Sequence, residues 1–338
     1  MVALLGVALA LFLAVVAPAR ADSPAPVAPK ASILVDADTG AVLDGVNVHE
    51  PLPPASLSKL ITALAVVDAL APHSTLTVSA RAAGMPAHNL NMKAGQVWVL
   101  EDAIGSLLVS SANDAAMALA EKVSGTAERF STALMSTATR LGISDTPTLQ
   151  DPAGLDDEFS VGGGNRISAY DLAIAARAVL AEPRLASVVS TRVLSFTGPD
   201  GVAHRLGNHN RLLRTYDGAV GMKTGYTRKS LHSLVAAATR NGRTMIAVIL
   251  DAPGDTYGLA GTLLDKGFST PAAAASRGVR LPPVPVVHPA VQGLATPARG
   301  AAPGEVAAAT IVTAPGAKND SWLGTVLAFA LKLLLGFA

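Results

Sequence analysis

Apolar runs of strand type lie near both ends of the central part of the chain, and runs of helical type lie between them. Residues 32–35 form a strand-like run, and the turn Asp38-Thr39-Gly40 leads from it into a partner strand. Much further along, the β-rich runs 231–238 and 244–250 are joined by Asn241-Gly242, which is a strong hairpin signal. The sequence therefore predicts one sheet built from both parts of the chain.

The region between these strands has helical spacing. Over residues 56–70 the apolar positions surround the helix almost completely, which is typical of a buried helix. Further helices are predicted over residues 100–108, 114–122, 127–141, 169–180 and 258–268. Strands at both ends with helices between them predict an α/β protein of the α+β kind, with an antiparallel sheet flanked by a helical region.

The two ends of the chain differ from this central part. Residues 2–17 are continuously apolar and Ala19-Arg20-Ala21 follows, so we predict a signal peptide over 1–21 and a short linker over 22–30. A folded domain is predicted over 31–270.

The C-terminal part begins with residues 271–320, where Ala, Pro, Gly and Val dominate, and this composition predicts a linker. In the segment 321–338, the residues from Trp322 onwards are apolar on every face except at Lys332 and would reach about 25 Å as a helix, slightly short of the ~30 Å of a hydrocarbon core. We predict a membrane anchor there. The alternative is a terminal helix that docks on the domain or lies in the membrane interface.

Composition removes several classes of function. The chain has 338 residues, of which 50% are hydrophobic and 15% charged, and its net charge of +1 gives no support for a nucleic-acid partner. Without Cys it has neither disulfides nor thiolate metal ligands, and its His residues form no H-E-x-x-H. We therefore predict no metal and no cofactor, and we interpret His204 and His209 as ordinary loop residues.

The predicted helix over 56–70 begins with Ser56 and, one turn later, Lys59. At this spacing the amine can approach the hydroxyl. Burial in an apolar helix disfavours the charged amine, which lowers the lysine pKa and lets it act as a base. Since a serine hydroxyl needs such a base to become nucleophilic, the pair is a candidate nucleophile and base. The alternative is that Ser56 only caps the helix while Lys59 reaches solvent.

A second motif, Ser111-Ala112-Asn113, follows an apolar run. In a loop, side chains two positions apart can face one cleft. Ser111 could there relay a proton between Lys59 and a leaving amine, and Asn113 could hold a substrate amide. The alternative is a pair of helix-capping residues around Asp114.

A third motif, Lys223-Thr224-Gly225, falls on a predicted edge strand. Lys223 supplies positive charge, Thr224 a hydroxyl that can bond a carboxylate, and Gly225 room for a close approach of the substrate backbone. The combination suits a substrate that ends in a free carboxylate. A surface turn after a strand is the alternative.

In this order the three motifs resemble those of the D-alanyl-D-alanine carboxypeptidases, the low-molecular-mass penicillin-binding proteins of peptidase family S11. The likeness spans roughly residues 31–268. It extends to Asp36-Ala37-Asp38-Thr39-Gly40, Pro51-Leu52-Pro53-Pro54-Ala55-Ser56, Gly154-Leu155-Asp156-Asp157, Asn208-His209-Asn210-Arg211-Leu212-Leu213 and Gly221-Met222-Lys223-Thr224-Gly225-Tyr226-Thr227.

The resemblance implies a transpeptidase/β-lactamase-like fold and a role for each matching residue. Ser56 would be the acylated nucleophile, Lys59 its base and Ser111 the proton shuttle. The substrate-binding residues would be Asn113, Lys223, Thr224, Gly225 and Tyr226. The backbone amides of Ser56 and Tyr226 would form the oxyanion hole.

The resemblance also implies an activity and partners. The expected reaction is removal of the terminal D-Ala from peptidoglycan pentapeptide stems through an acyl-enzyme, with β-lactam antibiotics as covalent inhibitors. With the predicted signal peptide and anchor, the expected location is the outer face of the cytoplasmic membrane.

Three alternatives stay open. A D,D-endopeptidase that cleaves cross-links would use the same residues. Class A β-lactamases hydrolyse the acyl-enzyme with a Glu that is followed four residues later by Asn. No Glu in this chain has that neighbour, and Glu158 is a poorly placed substitute for the deacylating residue, so this alternative is disfavoured. A wall-binding scaffold with a degenerate site is disfavoured by the presence together of Ser56, Lys59, Ser111 and Lys223. Tyr226, Arg228 and the Gly162-Gly163-Gly164 loop are candidates for shaping substrate choice.

Overall fold

The computed structural model describes residues 28–275 and 278–285 of the chain. Its strands are β1 (Ala31–Asp36), β2 (Val42–Val46), β3 (Thr75–Thr77), β4 (Val97–Val99), β5 (Val193–Thr197), β6 (Ala203–Gly207), β7 (Ala219–Thr227), β8 (Leu231–Arg240) and β9 (Arg243–Ala252). Its helices are α1 (Lys59–Ala69), α2 (Ala80–Ala83), α3 (Leu100–Val109), α4 (Asn113–Ser124), α5 (Ala127–Leu141), α6 (Ala169–Ala181), α7 (Pro183–Val189), α8 (Leu212–Thr215), α9 (Thr256–Ser269) and α10 (Ala272–Ala275). The predicted signal peptide and membrane anchor lie outside the described residues.

Five strands form a central antiparallel sheet in the order β2-β1-β9-β8-β7. The β8–β9 hairpin turns through Asn241 and Gly242, both with positive φ, as a two-residue turn of this kind requires. Strand β7 forms one edge of this sheet, and β2 forms the other. The substrate-binding candidates on β7 therefore lie on an edge strand, which also contacts the turn that carries Ser56.

Helices cover both faces of the sheet, and alternate strand residues divide between two cores. Val248 belongs to the core shared with α1 and α6, whereas its neighbours Ala247 and Ile249 belong to the core beneath α9. This alternation follows from the two-residue period of a strand. The predicted antiparallel sheet flanked by helices, with a helical subdomain from α2 to α5, is confirmed.

The predicted helix over 56–70 is two elements in the structure. Residues Ala55–Ser58 form a 3₁₀ turn, and α1 begins only at Lys59. The sequence prediction missed α7 and the two small ribbons β3–β4 and β5–β6. These ribbons have only two strands each and bury one residue in two at most, so their apolar pattern is short and weak.

A segment in the predicted linker lies against the domain. Leu281 is buried, its amide donates to the carbonyl of Gly40 (2.8 Å), and the amide of Val42 donates to the carbonyl of Val279 (2.9 Å). The guanidinium of Arg177 on α6 donates to the carbonyl of Pro282 (2.7 Å). Residues 278–285 therefore form a strap across the β1–β2 hairpin.

No helix in the part of the chain that the structure describes is long and apolar enough to cross a membrane.

The 3₁₀ turn is pressed from two sides by backbone that only glycine permits. A Cβ on Gly154 would overlap the carbonyl oxygen of Ala55 and the hydroxyl of Ser58. On the other side, a Cβ on Gly225 of β7 would lie 3.0 Å from the carbonyl oxygen of Pro54 and 3.3 Å from the amide nitrogen of Ser56. These two contacts fix the position of the turn relative to the sheet.

Gly154→Ala is expected to destabilise the fold more than a glycine substitution in open space. Gly125 is a matched control because its φ (+79°) is close to that of Gly154 (+77°) and a Cβ there would meet nothing within 4 Å. Both variants strain the backbone, but only Gly154→Ala adds the steric overlap, for an extra loss of about 1 to 3 kcal/mol in the free energy of unfolding. Urea denaturation followed by circular dichroism measures the difference. Equal losses would show that the turn is not held in this way.

Candidate active site

Ser56 and Lys59 are in direct contact. Lys59 Nζ lies 2.8 Å from Ser56 Oγ. A 3₁₀ turn has three residues per turn, so side chains three positions apart lie one above the other on the same side. The amine is fully buried, while Ser56 is half-buried and stays accessible from the cleft. The three-residue spacing across the 3₁₀ turn and the start of α1 therefore brings the two groups together.

Two further acceptors complete the surroundings of the amine. Lys59 Nζ donates to the carbonyl oxygen of Ala153 (2.6 Å) and to Oδ1 of Asn113 (2.8 Å). A neutral amine has two hydrogens and one lone pair, and carbonyl oxygens can only accept. The two hydrogens therefore point to Ala153 and Asn113, which leaves the lone pair facing the Ser56 hydroxyl.

Burial makes this neutral form accessible. It lowers the pKa of Lys59 from its ordinary value of 10.5 to about 7, because a desolvated ammonium is disfavoured. The negative charges of Asp151 and Asp114 oppose this shift. Near neutral pH the amine therefore exists in both protonation states, as a group that takes up and returns a proton must.

The carbonyl of Ala153 belongs to a loop that is held tightly behind Ser56. Asp151 accepts hydrogen bonds from the amides of Ala153 (2.8 Å), Leu155 (3.0 Å) and Val161 (2.8 Å). The preceding carbonyl, that of Pro152, accepts from the hydroxyl of Thr62 on α1 (2.8 Å). Periodicity gave no reason to single out Asp151; its place just before the Gly154-Leu155-Asp156-Asp157 segment is the only signal.

The Ser111-Ala112-Asn113 motif forms the turn between α3 and α4. Ser111 is buried and has a left-handed backbone (φ +63°), a strained conformation that is frequent at functional sites. Within the described residues its hydroxyl makes no hydrogen bond. Asn113 Nδ2 donates to the carbonyls of Pro86 and Ala87, both at 3.1 Å. The Asn113 amide, predicted as a substrate contact, is thus fully engaged within the chain.

The Lys223-Thr224-Gly225 motif lies on β7, next to the turn that carries Ser56. Lys223 is buried, and its amine donates to the carbonyl of Thr224 (2.9 Å). Burial and the charge of Lys59 hold the pKa of Lys223 well below its usual range. An anion that enters beside Lys223 would oppose this lowering of the pKa, because an opposite charge favours the ammonium form. Gly225 lies against the turn at Pro54 and Ser56, and its role in admitting the substrate backbone stays a prediction.

Two histidines lie near the lysines. The rings of His88 and His209 are in edge-to-face contact with their centroids 5.0 Å apart. Burial and the charges of Lys223 and Lys59 lower the pKa of both, that of His209 to about 4. His209 lies in a loop, as predicted, and this loop reaches the site. The interpretation of His204 as a loop residue was wrong, because His204 lies on β6 and stacks on Phe196.

The remaining predicted residues lie at the rim. Tyr226 is 58% exposed and packs against His232, with ring centroids 4.7 Å apart. Beyond it, Thr227 donates to the carboxylate of Asp156 (2.6 Å), which ties the end of β7 to the loop that contains Ala153. Arg228 is exposed. Among residues 28–275 and 278–285, no cluster of His, Asp or Glu could hold a metal ion.

Comparison with known proteins gives consistent matches. Residues 18–254 match the family model described as D-alanyl-D-alanine carboxypeptidase, peptidase family S11. The chain is 31% identical to D-alanyl-D-alanine carboxypeptidase DacF of Bacillus subtilis, over 71% of this chain and 62% of that protein. It is 33% identical to DacB2 of Mycobacterium tuberculosis, over 70% of this chain and 81% of that protein. The chain thus spans less than two thirds of the first relative's length.

Solved structures show the same architecture. The D-alanyl-D-alanine carboxypeptidase of Mycobacterium tuberculosis superposes with a TM-score of 0.68 at 30% identity, over 75% of this chain and 96% of that one. Penicillin-binding protein D2 of Listeria monocytogenes, in its ampicillin-bound form, superposes with a TM-score of 0.62 at 27% identity, over 71% and 98% of the two chains. With a family model covering most of the described residues, and a relative of similar length at 33% identity, the chain belongs to the D-alanyl-D-alanine carboxypeptidase family, peptidase family S11.

Proposed function

We propose that this protein is a serine-type D-Ala-D-Ala carboxypeptidase, which removes the terminal D-Ala from peptidoglycan pentapeptide stems. The observation that carries the proposal is the contact of 2.8 Å between Lys59 Nζ and Ser56 Oγ, beside two other acceptors that can take both hydrogens of the neutral amine. Membership of the family supplies the substrate class. No observation in the structure favours the endopeptidase alternative.

Acylation follows from the orientation of the amine. Ser56 Oγ attacks the carbonyl carbon of the penultimate D-Ala while its proton passes to the lone pair of Lys59 Nζ. The carbonyl oxygen becomes an oxyanion, which the backbone amides of Ser56 and Tyr226 would stabilise. Because Gly225 lies against Ser56, β7 brings these two residues to the same end of the cleft.

The leaving D-Ala nitrogen must be protonated. As the tetrahedral intermediate collapses, the C–N bond breaks and the D-Ala nitrogen takes a proton that originates from Lys59. Ser111 is suited to relay it, since the residue is buried two positions before Asn113 and its hydroxyl makes no hydrogen bond within the described part of the chain. Water then attacks the Ser56 ester with Lys59 as base, which releases the shortened stem and restores the hydroxyl.

Lys223 and Thr224 would recognise the terminal carboxylate. An anion beside the buried amine of Lys223 stabilises its protonated form, so substrate binding and charge on Lys223 reinforce each other. A substrate without a C-terminal carboxylate would forgo this charge-assisted hydrogen bond.

We also propose that β-lactams acylate Ser56. The Listeria relative was solved in an ampicillin-bound form, which supports the same chemistry here. A β-lactamase would need a base to hydrolyse the adduct quickly. Glu158 is exposed, and neither Ser56 nor Lys59 bonds a carboxylate among the residues that the structure describes. The adduct should therefore be long-lived.

Replacing the nucleophile gives the direct test. Ser56→Ala should abolish covalent labelling by a fluorescent penicillin and lower D-Ala release from a pentapeptide by at least about 1000-fold. Ser187→Ala, on the exposed side of α7, is the control and should label normally. In-gel fluorescence and mass spectrometry measure both. Persistent labelling of Ser56→Ala would defeat the assignment.

The pKa of Lys59 predicts a pH profile. Because the neutral amine is the active form and its pKa is about 7, the rate of penicillin acylation should rise through pH 7 and level off above pH 8. One unit below the pKa, the rate should be about one tenth of the plateau. Stopped labelling between pH 5 and 10 measures the profile. A rise near pH 10, the ordinary range of a lysine, would show that the amine is not desolvated in this way.

For the location, we propose export and anchoring at the outer face of the cytoplasmic membrane. The apolar segments at residues 2–17 and 322–338 support this proposal. In a bacterial host the full chain should sediment with membranes, whereas a chain ending at residue 320 should be released into the soluble exported fraction. Penicillin labelling of both forms controls for folding. A full chain that stays soluble would contradict the anchor.

A further inference from the structure

Two buried carboxylates stand behind Lys59 without touching it. Asp114 follows Asn113 on α4, and Asp151 precedes the loop that contains Ala153. Both are almost inaccessible to solvent, at 1% and 0% exposure. Their charges nevertheless act on Lys59, and they act in the direction opposite to burial. The catalytic steps proposed above use neither of them.

Asp151 fixes the first acceptor of the amine. Its Oδ1 accepts from the amides of Ala153 and Leu155, and its Oδ2 accepts from the amide of Val161. Asn165 holds the backbone of Asp151 from both sides, since its Oδ1 accepts the Asp151 amide (2.9 Å) and its Nδ2 donates to the Asp151 carbonyl (2.8 Å). The carbonyl of Ala153 therefore has little freedom to turn away from Lys59.

Asp114 does the same for the second acceptor. Its Oδ2 accepts from the amides of Leu90 (2.8 Å) and Met92 (3.1 Å), and its Oδ1 accepts from the amide of Ala115 (2.8 Å). These bonds anchor the loop whose earlier carbonyls, at residues 86 and 87, take both hydrogens of the Asn113 amide. With its nitrogen engaged there, Asn113 must present its oxygen to Lys59.

The two acids are suited to carry charge in this position. Burial raises the pKa of both carboxyl groups, and the hydrogen bonds from backbone amides offset part of this rise, because amide donors favour the ionised form. The other ionisable groups whose charges interact with Lys59 are Lys223, His88 and His209, and the pKa of each is lowered in this environment. Asp114 and Asp151 therefore supply the negative charge that faces the amine.

We propose that Asp114 and Asp151 are positioning residues for Lys59: each fixes the loop that supplies one acceptor to the amine, and their charges keep it able to regain a proton. This inference rests on the proposed function, since it assigns a role to Lys59 as base. Without the two charges the amine of Lys59 would be a weaker base. It would accept the serine proton less readily, and its protonated form, which must later supply the proton to the leaving group, would be less stable.

The test compares pH profiles of penicillin acylation for Asp151→Asn, Asp114→Asn and a matched control. Asp171→Asn is that control, because Asp171 is also fully buried and accepts two backbone amides, those of Ser144 and Asp145, but shows no interaction with Lys59. Rates are normalised to the labelled end point, so that only folded protein counts. All three variants lose a buried carboxylate, and only two lose charge near Lys59.

The acidic limb is the part of the profile where the acylation rate rises with pH as Lys59 loses its proton. In Asp151→Asn and Asp114→Asn this limb should shift to lower pH, by roughly 0.5 to 1 unit. Their plateau rates should fall about 10-fold, because an asparagine cannot accept all the amides that the carboxylate accepts. Asp171→Asn should keep the limb and the plateau of the wild type. Asn165→Ala loosens the Asp151 backbone but keeps the charge, and should lower the plateau without moving the limb.

Three outcomes would overturn the inference: unmoved limbs in both variants, limbs shifted to higher pH, or an equal shift in Asp171→Asn. If one of the two variants does not fold, the limb of the other decides. A wild type that is never labelled would overturn the proposed function as well. A labelled wild type with unmoved limbs in the variants would overturn this inference alone.

Discussion

A lysine amine with no access to water constrains the whole catalytic half of this molecule. Lys59 is fully buried, and a buried amine must find acceptors inside the protein. It finds them on three separate elements: the 3₁₀ turn with Ser56, the start of α4 with Asn113, and the loop with Ala153. These elements are far apart in sequence, so satisfying one side chain draws three parts of the fold together.

The arrangement of the amine's partners also explains why a single side chain can serve as base. Two partners are oxygen atoms that only accept, and the third is a hydroxyl that can donate. Around the neutral amine, which partners accept a hydrogen bond and which partner donates one is therefore fixed before any substrate arrives. Pre-organisation of this kind needs no rearrangement at the moment of reaction, which is why tight packing around Gly154 and Gly225 matters as much as the reactive groups.

Much of the scaffold could be predicted from the sequence. The long helices have regular apolar spacing, and the prediction for residues 127–141 coincides with the observed α5. The dipeptide Asn241-Gly242 correctly predicted the hairpin of β8 and β9, because Asn and Gly readily adopt the positive φ that a two-residue hairpin turn requires. The spacing of Ser56 and Lys59 likewise predicted their proximity, since helical and 3₁₀ geometry both place residues three apart on one side.

The supporting layer could not be predicted in this way. Asp151 acts through the backbone amides of its own loop, and such bonds leave no periodic trace in a sequence. His209 approaches Lys223 only because the chain folds back beside β7, a long-range contact that local patterns do not encode. The engagement of Asn113 within the chain depends on carbonyls at residues 86 and 87, and carbonyl orientation is invisible to residue type.

The strap at residues 278–285 has a mechanical consequence. It is fastened to the β1–β2 hairpin and to Arg177, whereas the reactive groups adjoin β7 at the other side of the sheet. With strands spaced about 4.8 Å apart, three or four spacings separate the two, or roughly 14 to 19 Å. Tension on the chain beyond residue 285 would therefore be transmitted first to the hairpin and α6. The elements that would bear this load first therefore carry none of the reactive groups.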